Sequence, residues 1–130
     1  MDPVVHFEIP AADLDRAMRF YSETFGWELR RPPGIGFAFA TTAAVDPATL
    51  APGAPGQPGR INGNLVVRQS VLQHPVVTIK VADLPAALAK AQANGAKLAL
   101  AARDVGPILA AYIQDPEGNV IGVVHDKPAP

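Results

Sequence analysis

Apolar positions along the chain alternate over short runs, then recur at helical spacing, and the sequence of patterns occurs twice. Val4–Ile9 (VVHFEI) is β-branched and aromatic between Pro3 and Pro10, which predicts a strand. Leu14, Ala17, Met18, Tyr21 and Phe25 then return every three or four residues, with Asp15, Arg16, Arg19, Ser22 and Glu23 between them. This period predicts an amphipathic helix over 13–24, opened by Asp13 as N-cap and closed by Gly26. Residues 27–31 (WELRR) and 36–41 (GFAFAT) predict two strands joined across Pro32-Pro33-Gly34, and 61–67 predicts a fourth. The stretch from Ala44 to Gly59 is rich in Ala, Pro and Gly and predicts a long loop; its composition leaves open a lid or a disordered connection.

The second half repeats the plan. Residues 76–81 (VVTIKV) predict a strand, Asp83 caps a helix with the stripe Leu84, Ala87, Leu88 and Ala91, and Asn94-Gly95 ends it. Strands follow at 97–101, 108–114 and 119–125, the last two joined by Asp115-Pro116-Glu117-Gly118, whose residues suit a type I turn. Laying Val5–Phe20 over Pro75–Lys90 without a gap superposes Ile9 on Ile79, Ala12-Asp13-Leu14 on Ala82-Asp83-Leu84, and Ala17 on Ala87. Each half therefore reads as a βαβββ module, about 4–67 and 75–125, within one domain spanning 1–130.

Composition narrows the function classes. At 130 residues and 48% apolar content the chain has room for one domain with a self-sufficient core. It has no cysteine, which removes disulfides, thiolate metal sites and thiol nucleophiles. Eleven basic and twelve acidic residues give a net charge of -1 with no block of one sign, so neither nucleic acid nor a membrane surface is an expected partner. No apolar run is long enough to span a bilayer and no signal-like start precedes Val4, so a cytoplasmic location is expected. No phosphate loop, nucleophile elbow or dinucleotide fingerprint occurs.

Two segments, HFEIPAADLDRAMRFYSETFGWEL at 6–29 and DPEGNVIGVV at 115–124, resemble the vicinal oxygen chelate superfamily of glyoxalase I, bleomycin resistance proteins and extradiol dioxygenases. The likeness runs from Val4 to His125 and is nearest to small glyoxalase-like members with a glycine-bearing fourth strand, here Ile61-Asn62-Gly63-Asn64-Leu65. It implies an α+β fold in which two βαβββ modules form curled mixed sheets around a cavity, helices outside, usually in a homodimer. Alternation then turns Val5, Phe7 and Ile9 to the first helix and Val4, His6 and Glu8 to the cavity. In the second module it turns Val77, Ile79 and Val81 to the helix and Val76, Thr78 and Lys80 to the cavity.

Metal-using members of that family carry four ligands, one from the first and one from the last strand of each module. Carried over, the first position falls on His6, its counterpart on Val76 and the last on Gly122. Counting from Gly59 puts the remaining one on Gly63, unless a bulge brings Asn62 or Asn64 inward. Valine and glycine offer no donor, so neither a metal nor another cofactor is expected. His6 and Glu8, two apart on one strand face, form the most plausible acid–base pair. His74 reads as an exposed connector residue and His125 as a surface residue near the chain end. Trp27, Phe37, Phe39, Asn62, Asn64, Thr78 and Tyr112 are the candidate ligand-binding residues, although aromatic residues at such strand positions are more often core than ligand platform. Arg30, Arg31, Arg60, Arg68 and Arg103 read as dispersed.

The function these features favour is a metal-independent protein that holds a small organic molecule, neutral or aromatic in preference to cationic. An isomerase or lyase of glyoxalase type that uses His6 and Glu8 is the enzymatic alternative, and a dimer with a vestigial cavity is the third.

Overall fold

The computed structural model describes residues 1–44 and 59–128. The predicted loop at 44–59 therefore lies almost wholly outside the described residues. Eight strands and two helices are present among them: β1 (Val4–Ala11), α1 (Leu14–Phe25), β2 (Glu28–Arg30), β3 (Phe37–Thr41), β4 (Asn62–Val67), β5 (Val76–Lys80), α2 (Leu84–Ala93), β6 (Lys97–Val105), β7 (Ile108–Gln114) and β8 (Val120–Asp126). This is an α+β fold with mixed strand directions. The chain divides into a unit of residues 6–75 and a unit of residues 76–130 together with the first five. No helix among the described residues is long and apolar enough to cross a membrane.

In the unit of residues 6–75 the strand order is β2-β3-β4-β1, antiparallel except for the parallel β4–β1 pair. Asp13 starts α1 as expected, its carboxylate accepting the Arg16 N–H at 3.0 Å. Gly26 ends it at φ 72, a left-handed conformation that favours glycine. Leu14 on α1 packs with Ala11, Ala38 and Leu65, and Ile9, Ala17, Met18, Tyr21 and Leu29 close around them. The predicted stripe is corrected at one end: Phe25 is 61% exposed and meets the Phe20, Tyr21 and Trp27 rings outside the Leu14 cluster.

The other unit repeats the architecture with the order β5-β8-β7-β6, parallel only at β5–β8. Its core joins Val81, Leu84, Ala111 and Val123, with Ile79, Ala87, Leu88, Leu109 and Ile113 around them. Val77 departs from the expectation of helix packing: it is 42% exposed and outside that cluster. The turn between β7 and β8 carries the expected bond from Gly118 N–H to Asp115 O at 3.0 Å. The Asp115 carboxylate also accepts the Glu117 and Asn119 N–H groups, each at 2.9 Å. β6 runs to Val105, beyond the predicted end at 101, because register shifts between Leu98 and Arg103 break the alternation that would have revealed the strand.

Candidate functional site

Residues opposite one another on neighbouring strands share a face, so the register assigns sides without further assumption. On the face of β1–β4 turned away from α1, His6 pairs with Asn62 in a first row. Glu8, Asn64, Phe39 and Arg30 form a second row across all four strands. Pro10, Val66 and Phe37 form a third. Six of the predicted site residues, His6, Glu8, Phe37, Phe39, Asn62 and Asn64, thus come together on one surface.

Trp27 does not join them. Its ring stacks on Tyr21 of α1 at 4.7 Å and touches Phe7 at 5.5 Å, so it belongs to the aromatic packing on the helix side. The register also corrects the position expected for the fourth strand. Gly63, not its neighbours, turns toward the helix, beneath Phe7: a Cβ there would fall 2.4 Å from the Phe7 carbonyl oxygen. Asn62 and Asn64 reach the His6 face through plain alternation, with no bulge in β4.

The two asparagines are differently employed. Asn62 is buried, and its Oδ1 accepts the N–H groups of Thr42 at 2.8 Å and Ala43 at 2.9 Å while its Nδ2 donates to Ala43 O at 3.2 Å. It ties down the chain leaving β3. Asn64 Oδ1 is buried and has no hydrogen-bond partner among the described residues, which is costly unless something supplies a donor.

His6 is held below the ordinary histidine value, chiefly because burial disfavours the charged ring; a hydrogen bond with the Asn62 backbone opposes this. A neutral imidazole two residues from Glu8 is chemically suited to accept a proton. At the far end of the second row the Arg30 guanidinium lies 4.7 Å over the Phe39 ring, a cation–π contact. Phe39 is 38% exposed, and Phe37 meets it edge-on at 5.1 Å. Arg30 was not legible as part of the site, because its partner is an aromatic ring on the next strand and no charge cluster marks it. A separate shallow hollow of about 380 Å³ lies at Arg31–Gly36, in the β2–β3 connection.

In the other unit Thr78, Gly122 and Tyr112 form one row across β5, β8 and β7, on the face opposite the α2 core. Thr78 and Tyr112 are buried, and Thr78 Oγ1 has no hydrogen-bond partner among the described residues. It would lie 2.7 Å from a Cβ on Gly122, so only glycine leaves the hydroxyl its space. His125 is placed on the helix side, where its Nδ1 accepts the Leu84 N–H at 2.9 Å; it serves the start of α2 instead of standing idle near the terminus. The donor set fails to match the four metal positions implied above. His6 supplies one nitrogen, Val76 and Gly122 supply nothing, Gly63 faces away and the Asn62 oxygen already accepts two N–H groups. Among the described residues no three His, Asp or Glu side chains gather.

A family model described as Glyoxalase/Bleomycin resistance protein/Dioxygenase superfamily matches residues 4–123, and the chain belongs to that superfamily. A relative named Glyoxylase-like domain-containing protein, from Didymella fabae, is 33% identical over 118 residues, covering 86% of this chain and 84% of its own. Among solved structures, a member of the same superfamily from Vibrio splendidus 12B01 aligns with a TM-score of 0.62 at 17% identity, over 97% of this chain and 100% of that one. Methylmalonyl-CoA epimerase from Mycobacterium tuberculosis aligns with a TM-score of 0.58 at 22% identity, over 96% and 88%. These structural likenesses are of fold.

Proposed function

We propose that the protein binds a small organic molecule on the His6 face of β1–β4 and does so without a metal. The observation that carries this reading is the buried, unsatisfied Asn64 oxygen set between Glu8 and the half-exposed Phe39 ring. A few polar groups placed beside aromatic rings on one surface can fix the orientation of a bound molecule. Metal independence is supported by the donor chemistry, since one imidazole with two positions lacking any donor falls short of a catalytic cation's needs. The protein acts as a homodimer in the cytoplasm under this reading.

Native mass spectrometry of untagged protein, purified without chelator, tests the retained molecule, the subunit count and the metal in one spectrum. A dimer with an organic adduct and no stoichiometric metal is expected. Stoichiometric metal would overturn the reading.

One observation favours a catalytic version: burial keeps His6 neutral beside Glu8, as a general base requires. An isomerase or lyase acting through this pair would lose turnover of the retained molecule on His6→Ala. Unchanged turnover in that variant would remove the catalytic version and leave binding.

A further inference from the structure

We infer that the row Asn64–Phe39–Arg30 selects a ring-bearing carboxylic acid that carries a hydroxyl or N–H donor at the end remote from its carboxylate. The inference rests on the binding function proposed above and names its ligand class.

Asn64 supplies the inner end. Its Oδ1 is a buried acceptor without a partner among the described residues, so a ligand that brings a donor gains a hydrogen bond that one lacking it forgoes. Arg30 supplies the outer end. Among the described residues its guanidinium engages the Phe39 ring, which holds the planar fork in place while leaving its N–H edge to a carboxylate. Both Arg30 and Phe39 are exposed, so the charged end of the ligand stays near water while the donor end goes in.

The strand order fixes the length. Asn64 is on β4 and Arg30 on β2, two strand spacings apart, or roughly 10 Å between backbones. One aromatic ring with a short chain spans that gap, and the Phe39 and Phe37 rings lie along it. Charge fixes the orientation. The Arg30 guanidinium draws the carboxylate to the outer end of the row, away from the Asn64 oxygen. Glu28, two residues from Arg30 on the same face of β2, tempers the positive field there, so a single carboxylate suits the site better than a multiply charged phosphate.

Isothermal titration of the full chain with para-hydroxyphenylpropionate, para-methoxyphenylpropionate and the neutral para-hydroxyphenylpropanol tests each end separately. The wild type should prefer the hydroxy acid by about tenfold over each of the other two. Asn64→Leu should abolish only the preference over the methoxy acid, and Arg30→Gln only the preference over the alcohol. Arg30 is on the surface, so its variant keeps the test decisive if Asn64→Leu folds poorly. Equal binding of the three by the wild type, or a preference that survives its own substitution, overturns the inference. If the protein retains an organic molecule yet does not discriminate among the three probes, the selection rule falls and the binding function stands. If nothing is retained and no probe binds, both fall.

Discussion

Burial makes His6 harder to protonate in the folded protein than in the unfolded chain, which ties stability to pH. The unfolded chain binds the extra proton more readily, so this contribution is complete above the ordinary histidine range and is lost as pH falls through it toward the folded value. Urea midpoints should therefore drop between about pH 7.5 and about pH 5.5, and His6→Phe should flatten that slope. Asp115 acts in a lower window. Its carboxyl is held below the usual range mainly by the Asn119 N–H, so its contribution is present above that range and lost at more acid pH. Gly63 makes a second point at this scale. The Phe7 carbonyl and ring leave no room for a methyl, so Gly63→Ala should cost about 1–3 kcal/mol in urea denaturation. The sides of His6, Glu8, Phe7 and Ile9 were legible because β1 alternates cleanly. The role of Gly63 was not, since counting from Gly59 missed by one residue, and one residue reverses a strand's faces.

Helix starts are where single elements depend on side chains most visibly. Asp13 and Asp83 each accept an N–H from three residues on, at 3.0 Å, and both were readable as caps from the polar-then-periodic pattern. His125 was not, because a cap supplied from another strand leaves no local trace. His125→Leu strands the Leu84 N–H and should lower stability by about 1 kcal/mol, read from the urea midpoint, with the far-UV spectrum otherwise retained. β6 was legible only in its first half for a related reason: its register shifts put neighbours on irregular sides, and a period of two is the signal by which strands are found. Arg30 belongs here too, since its place over Phe39 depends on the β2–β3 register and on nothing in its own neighbourhood.

At the scale of the whole chain the repeated plan gives, among the described residues, a core around Leu65 and another around Leu84, each of these two side chains fully buried. Leu65→Ala and Leu84→Ala should each cost about 2–5 kcal/mol, read from guanidinium titrations. The same repeat made the two βαβββ modules readable from the chain, while the arrangement of their strands into mixed sheets came only from the family resemblance. Each module also joins its first strand to its last in parallel, and this has a consequence during synthesis. His6 leaves the ribosome well before Asn62, its partner across β1 and β4. At 5–20 residues per second, the wait is roughly 3–11 s. For that interval the nascent β1 offers a sticky, apolar ribbon to whatever is nearby, so yield in the cell should depend on chaperone supply more than the finished protein's stability suggests.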